Sequence, residues 1–383
     1  MIRSNYLGFL LFTFMMVIFF VIPGYEGLQK PFRIALCLSF PAIYFALLIK
    51  KEINYNTLYP LAGASLLMAF MALRGTLQSS FVNAWLCMFG LLCMNVLFFE
   101  LTKERKENLR YIHLLAVLSI LIQFLIFTNQ DGRPRLAYEI NQSGAYLFLL
   151  FIAADILGNK WVKLLVMALS LFILSRLLIF SIVIYYLVKY GKGYFAKVLS
   201  RLNAIIITLA CFAFISLFSL WYTSNVHSSI YYETGFNRII RLNDDSNQIR
   251  FRDNAMALDA IFKLPPEPQV LFGYGPAQNY LKAKKTEHIP HNELLDSIIE
   301  FGLITVIFFS LFTLPVFNKL VSFANLEYFI PLLFYTTILW VRYLLVPNPE
   351  MLFILFLLFI ANTKNRQLDD PQPVIERNLN YKI

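Results

Sequence analysis

The chain alternates long apolar runs with short polar segments, a pattern typical of proteins that cross a membrane several times. Runs such as 7–22, 111–128 and 204–220 contain no Asp, Glu, Lys or Arg. A bilayer core about 30 Å thick is crossed by roughly 20 apolar residues, and its lack of hydrogen-bond partners favours helices over open strands. The pattern predicts about twelve spans, at residues 7–23, 32–49, 58–73, 82–100, 111–128, 143–158, 161–175, 177–189, 203–222, 297–318, 327–345 and 350–362.

Two features of this pattern stand out. The spans 161–175 and 177–189 are shorter than a comfortable crossing, so a bent or re-entrant hairpin is an alternative for this pair. The only long polar stretch is 223–296, and a loop of that length usually carries function. Within it, apolar residues at helical spacing end at Pro265–Pro266, which predicts an amphipathic helix with a face suited to the membrane surface. Those residues are Phe251, Ala255, Leu258 and Phe262.

The basic residues predict the orientation. Lys and Arg are concentrated in alternate connections, at Lys50–Lys51, 103–110, 160–163 and 189–201. Connections rich in Lys and Arg face the cytoplasm, so the sequence predicts an inner-membrane protein with both termini cytoplasmic. The outer segments are then 24–31, 74–81, 129–142, Arg176, 223–296 and 346–349.

Composition agrees with a membrane protein. Of the 383 residues, 58% are hydrophobic and 15% are charged, whereas soluble domains carry about 25% charged residues. The net charge of +10 is explained by the cytoplasmic clusters, so nucleic acid is not indicated as a partner. The four cysteines lie in apolar runs without a CxxC pair, which argues against a disulfide framework and against a zinc site.

The predicted architecture is an all-α polytopic membrane protein in four parts. An N-terminal bundle of about nine spans covers 1–222, and an extracytoplasmic loop covers 223–296. Three further spans follow over 297–362, and 363–383 form a cytoplasmic tail.

Motifs in and after the large loop resemble a known superfamily. Gly273-Tyr-Gly-Pro276 is followed by His291-Asn292 and then by Glu300-Phe-Gly302, where an apolar run opens. This order resembles the O-antigen ligase and O-antigen or capsule polymerase superfamily, which carries a Gly-x-Gly turn and then a His-Asn at the mouth of a late helix. Three further places match, namely Asn247-Gln-Ile-Arg250, Leu174-Ser-Arg176, and Arg135-Leu136 with Asn141 and Gly144. The family's aromatic residue four positions after the loop arginine is Asn254 here, so Arg250 and Arg252 both remain candidates for that arginine.

The resemblance implies a fold similar to GT-C-like, lipid-dependent glycosyltransferases. It also implies polymerisation of undecaprenyl-diphosphate-linked oligosaccharide repeat units on the outer face of the membrane, by inverting and metal-independent transfer. No cofactor is expected. A chain-length regulator protein is a further candidate partner. An O-antigen ligase that transfers the polymer to lipid A-core is the alternative within the family. A lipid-linked sugar flippase is a more distant alternative. A protein of that kind is expected to have ionisable residues deep in several spans, and this chain has few of them.

The expected site combines arginines with one histidine. Guanidinium groups bind phosphate oxygens in pairs, so Arg135, Arg176, Arg250 and Arg252 on the predicted outer face are expected to hold the donor diphosphate. Arg342, near the outer end of its span, is a further candidate, and anchoring at the interface is its alternative role. His291 is the expected general base because it titrates near neutral pH at the mouth of a span. Asn292 beside it is expected to bind substrate. No Asp-x-Asp motif or His and carboxylate cluster indicates a metal.

Overall fold

The structure is a computed structural model, and its elements are described within the following residues. These are 4–21, 26–52, 58–73, 79–97, 103–128, 134–136, 140–173, 175–194, 204–225, 245–265, 267–290, 292–321, 325–338 and 349–369. No β-strand occurs within these ranges, which confirms the all-α prediction for the described part of the chain.

Helices account for most of the described residues. They are α1 (Ser4–Met16, continued by a π-helical turn at Val17–Val21), α2 (Glu26–Ile49), α3 (Leu58–Leu73), α4 (Ser79–Leu97), α5 (Lys103–Ile126), α6 (Ile140–Leu157), α7 (Lys160–Ile173), α8 (Arg176–Gly191), α9 (Ala204–Asn225), α10 (Asp245–Phe262), α11 (Pro268–Phe272), α12 (Ala277–Lys284), α13 (Glu293–Phe301), α14 (Leu303–Leu320), α15 (Leu326–Ile338) and α16 (Pro349–Asp369).

Several of these helices are suited to a membrane. Among the described residues, three stretches are long and apolar enough to cross one, namely Pro31–Ile49, Arg105–Ile126 and Ile205–Asn225. The bent pair formed by α13 and α14 makes a fourth if it is counted as one span. Large apolar side chains also point outward, such as Leu125, which is 86% exposed, and this is the surface that lipid would cover. The length and apolar composition of these helices therefore indicate a membrane protein. The number of twelve spans and their orientation remain predictions.

The core is formed around two helices that are buried on almost every side. Phe148 and Ile152 of α6 and Leu352 and Leu355 of α16 are all fully buried. A helix that is apolar all round belongs in the interior of a bundle, and α6 and α16 contact each other there. A second apolar cluster joins α10 to α13 through Leu258 and Ile298.

The loop helix predicted from the sequence is present as α10. Phe251 packs against Phe218 and Tyr222 of α9, with ring centroids 5.2 and 4.6 Å apart. Leu258 is buried, whereas Phe262 near the end of the helix is 74% exposed. The apolar face of α10 therefore packs mainly against protein.

The span predicted at 297–318 is not one continuous helix. A short helix, α13, meets α14 at Gly302 with an angle of 119° between their axes. Gly302 has φ +87°, a conformation that residues with a Cβ rarely adopt, so the helix breaks at this position. The residues on both sides are apolar, which is why the sequence pattern reads as continuous.

An ion-pair network joins four elements at the predicted cytoplasmic end. Asp155, near the end of α6, accepts hydrogen bonds from Lys163 of α7 at 2.5 Å and from Lys189 of α8 at 3.2 Å. Tyr328 of α15 donates to the same carboxylate at 2.6 Å. Buried charges are stable only when they are paired in this way, so the network fastens α7 and α8 to α6.

Candidate functional site

Two glycines from the motifs of the large loop lie against each other. Gly273 and Gly302 both have positive φ, at +86° and +87°. A Cβ on Gly302 would lie 2.4 Å from the Gly273 nitrogen, and a Cβ on Gly273 would lie 2.4 Å from the Glu300 oxygen. Both positions therefore need glycine for two independent reasons, backbone conformation and close approach. The Gly-x-Gly turn and the later glycine form one structural unit, which we call the glycine crossing.

Polar contacts hold the turn in place beside this crossing. The Tyr274 backbone nitrogen donates to the Ile299 oxygen at 2.8 Å, which fixes the turn to α13. The Tyr274 hydroxyl donates to Glu267 at 2.6 Å, and Lys284 donates to the same carboxylate at 2.7 Å. These contacts fix the position of α13 relative to the segments on both sides of the turn.

Asn292 begins α13. Its side-chain oxygen accepts hydrogen bonds from the backbone nitrogens of Leu294 and Leu295, at 3.0 and 3.3 Å. This is the usual N-cap arrangement, which stabilises the first turn of a helix. Asn292 is fully buried, and its side-chain nitrogen has no hydrogen-bond partner among the described residues. Asn292, which was predicted to bind substrate, therefore caps a helix with its side-chain oxygen. Its side-chain N–H remains available as a hydrogen-bond donor.

Two predicted site residues have no described position. His291 directly precedes the cap, and Arg342 follows α15, but both lie outside the described residues. The structure does fix the backbone of Asn292, so His291 is joined to a helix start that is itself anchored.

Helix α13 carries three buried carboxylates. Glu293, Asp296 and Glu300 are spaced three and four residues apart, which places them along one face of the helix. They are 0, 1 and 8% exposed. Acidic groups in a first turn interact favourably with the helix dipole, although that does not explain Glu300 at the far end. In the sequence, the only sign of this face is the spacing of the three acidic residues in a segment that is otherwise mostly apolar.

Arg176 begins α8, and two residues separate it from the end of α7 at Ile173. The Ser175 hydroxyl caps α8 by accepting from the Leu178 nitrogen at 3.4 Å. The same hydroxyl shares a hydrogen bond with Tyr335 of α15. Gly144 of α6 faces both groups, because a Cβ there would lie 2.3 Å from the Tyr335 hydroxyl and 2.9 Å from the Ser175 oxygen. Three helices thus meet at one polar point, which we call the Ser175–Tyr335 junction.

The structure separates the two loop arginines. The Arg250 guanidinium acts electrostatically on the Tyr335 hydroxyl, so Arg250 is near the Ser175–Tyr335 junction. Arg252 has a side chain that is 57% exposed, and its Nε lies 3.8 Å from the Asp253 carboxylate. Arg250, and not Arg252, therefore lies in the same region as Ser175 and Arg176.

Arg135 is anchored at the entry to α6. Its side-chain Nε donates to the Thr128 oxygen at 3.3 Å, and its backbone nitrogen donates to the Phe127 oxygen at 3.1 Å. The next residue, Leu136, donates to the Ser143 hydroxyl at 3.1 Å. Ser143 precedes Gly144, so the segment of Arg135 is tied to the same end of α6 as the junction.

Asp253 is a further charged residue that the sequence analysis missed. It is 2% exposed, and neither carboxylate oxygen has a hydrogen-bond partner among the described residues. Burial raises the pKa of Asp253 to about 6, against the smaller opposing effects of Arg252 and His288. Its neighbour Asn254 donates to the Ser219 hydroxyl of α9 at 3.3 Å. An acidic group that titrates near neutral pH therefore lies on α10, one turn from Arg250.

An ion pair was also not predicted from the sequence. The Arg33 guanidinium of α2 forms an ion pair with Glu350 of α16, and it lies 5.7 Å from the centre of the Phe19 ring. The Tyr146 hydroxyl of α6 donates to Glu350 at 3.1 Å. Tyr146 lies two residues after Gly144, so this ion pair is at the same end of α6 as the junction. Both charges lie at the ends of apolar runs, where they could be taken for interface anchors.

The described residues contain no group of three or more His, Cys, Asp or Glu side chains that is arranged to hold a metal ion. Comparison of the chain with models of protein families, with curated proteins and with solved structures finds no match.

Proposed function

We propose that this protein is a glycosyltransferase that polymerises lipid-diphosphate-linked oligosaccharide units at the outer face of the cytoplasmic membrane. The observation that carries the proposal is the convergence of separate sequence motifs at one end of the bundle. Gly144 and Ser175, which precedes Arg176, come from distant segments and meet at Tyr335, and the charge of Arg250 from a third segment acts on the same Tyr335 hydroxyl. All of these segments belong to the side that the basic residues predict to be extracytoplasmic.

The proposed chemistry assigns one role to the arginines and another to His291. Arg176 and Arg250 bind the diphosphate of the donor, because planar guanidinium groups match phosphate oxygens better than an ammonium does. Arg135, which is anchored at the entry to α6, is a further donor to the same phosphates. The acceptor hydroxyl attacks the anomeric carbon while the bond from that carbon to the diphosphate oxygen breaks. His291 takes the hydroxyl proton, and the diphosphate leaves with the bonding electrons.

The glycine crossing supports this division of roles. It fixes α13 beside the Gly-x-Gly turn, and Asn292 caps the helix directly after His291. A base on an anchored helix start can be held in one position relative to the arginines, which general-base catalysis requires. The substrate partners are then the bilayer and an undecaprenyl-diphosphate-linked oligosaccharide, with no cofactor.

The test is turnover by the purified protein in detergent, with lipid-linked repeat units as substrate and a gel ladder as the readout. Arg176→Lys keeps the charge and loses the paired hydrogen bonds, so we expect a loss of roughly 10²-fold, as for removal of one donor to developing charge. Arg110→Lys, at an exposed site on the predicted cytoplasmic end, is the matched control and should retain activity. Wild-type ladders from Arg176→Lys would contradict the proposed diphosphate site.

The base is tested separately. His291→Ala should reduce turnover by about 10²- to 10⁴-fold, while binding of the lipid-linked donor persists. His288→Ala changes an exposed histidine in the same segment and is expected to be close to wild type. Full turnover by His291→Ala would remove the histidine from the mechanism, even if the arginine result held.

A further inference from the structure

An apolar groove runs along the outside of α7 and α8. The volume of this open groove is about 490 Å³. Met167 of α7 forms one wall, and the other wall comes from α8 and the turn that follows it. That second wall includes Ile182, Val183, Tyr186, Tyr190 and Tyr194. No charged side chain lines this groove.

The groove opens outward. Leu187 and Tyr190 on its wall are 67 and 71% exposed, and Tyr194 at its end is 90% exposed. The rings of Tyr186 and Tyr190 stack with centroids 5.9 Å apart, which forms a flat apolar surface. Exposed apolar surface on this scale requires an apolar neighbour, and tyrosines at one end are typical of the level of lipid headgroups.

The end of the groove that carries Tyr194 is positively charged. Lys163 and Lys189 share the carboxylate of Asp155, and Lys192 pairs with Glu327. Lys160, at the start of α7, is exposed and forms no ion pair among the described residues. Four lysines therefore face two carboxylates, and the surplus charge is positive.

We propose that the groove binds an acyl chain of an anionic phospholipid, with the lipid phosphate beside the lysines at the Lys160 end. The apolar wall fits the chain, and the surplus positive charge fits the headgroup. The lipid-linked donor does not fit here. Its diphosphate belongs with Arg176 at the start of α8, which is about 24 Å away along a helix of 16 residues. This lipid site is independent of the proposed transferase reaction.

The structure offers a matched pair of variants. Gly191 lines the groove, and Gly193, two residues on, is not among the residues that line it. A Cβ at either glycine would meet no atom within 4 Å. Gly191→Leu should fill the groove, whereas Gly193→Leu should add the same side chain outside it. Val183→Phe fills the groove from a different position, which guards against an effect on folding that is specific to residue 191.

The measurement is native mass spectrometry of the purified protein with added dioleoyl phosphatidylglycerol or dioleoyl phosphatidylcholine. Wild type should retain one phosphatidylglycerol in preference to phosphatidylcholine. Gly191→Leu and Val183→Phe should lower that retention about tenfold, a loss expected when most of the apolar contact of a chain is blocked. Gly193→Leu should retain the lipid. Lys160→Gln should reduce the preference for phosphatidylglycerol about fivefold without loss of total lipid.

Three results would overturn the proposal. Equal retention of the two lipids by wild type would show that the positive end plays no part. Unchanged retention by Gly191→Leu and Val183→Phe would place the lipid elsewhere. A dimer that forms in wild type and is lost in both groove variants would assign the groove to a second copy of the chain.

Discussion

Replacement of Asp253 with Asn tests whether the buried, ionised carboxylate of Asp253 on α10 lowers the stability of the folded protein. The Asp253 carboxylate is buried, and its pKa of about 6 lies above the 3.8 of an unperturbed Asp. A difference of roughly two pKa units, at 1.36 kcal/mol per unit, corresponds to about 3 kcal/mol. Because the folded state binds the proton more tightly, the free energy of unfolding is highest below pH 4 and falls as pH rises to 6. Above pH 6 the contribution of Asp253 is constant and unfavourable.

Asparagine imitates the protonated side chain at every pH. Asp253→Asn should therefore raise the free energy of unfolding at pH 7 by up to about 3 kcal/mol, and it should remove the decrease between pH 4 and 6. Arg252 on the same helix and His288 and Tyr280 on the facing segments are unchanged in the variant. Burial together with Asp253 raises the pKa of Tyr280 to about 12, and the variant should lower it.

The assay is thermal unfolding in detergent, followed by tryptophan fluorescence at intervals from pH 4.5 to 7.5. The quantity that matters is the difference between Asp253→Asn and wild type, because other groups titrate in both proteins. Asp259→Asn changes an exposed acid on the same helix and should leave the profile unchanged. A variant that is less stable than wild type at pH 7 would refute the reasoning, since the carboxylate would then have a favourable partner.

Three further predictions test the rest of the structure. Gly302→Ala should destabilise the protein strongly, because the added carbon meets the Gly273 backbone at positive φ, and thermal unfolding would measure the loss. A cysteine at Ser246 should react with an impermeant thiol reagent in spheroplasts and one at Asn108 should not; the reverse pattern would invert the topology. Asn292→Asp keeps a good N-cap while Asn292→Ala loses it, at a cost of about 1 kcal/mol. Activity in Asn292→Asp would limit Asn292 to capping, and inactivity with normal stability would indicate substrate binding by its amide.

The helices could be predicted from the sequence because their signal is local. Each of the first nine predicted spans, from 7–23 to 203–222, overlaps a helix, although α2 and α5 begin six and eight residues before the predicted start, and a helix also covers the loop segment around Phe251. The break at Gly302 could not be predicted in the same way. Glycine is tolerated inside membrane helices, and the close approach of Gly302 to the 271–273 backbone is a tertiary contact that no local pattern shows.

Those residues of the candidate site that belong to a sequence motif could be selected from the sequence. Arg176 and Gly144 were selected by their order along the chain, and the structure brings their segments together. Tyr335 could not be selected, since a tyrosine in an apolar run has no distinguishing local pattern. The partnership of Arg33 with Glu350 joins residues that are more than three hundred positions apart, so it follows only from the fold.

The segment from α10 to α13 holds half of the buried side-chain polar atoms that have no hydrogen-bond partner among the described residues. Asp253, Asn254, Asn292 and Ser297 are at most 2% exposed, and each has a polar atom with no hydrogen-bond partner among the described residues. Each such atom costs about 1–3 kcal/mol. By contrast, the middle parts of α6 and α16 are packed with phenylalanine and leucine. Unpaired polar burial of this kind is one mark of a site where a ligand supplies the missing partners. Under the proposed function, a bound sugar would supply them for these four side chains.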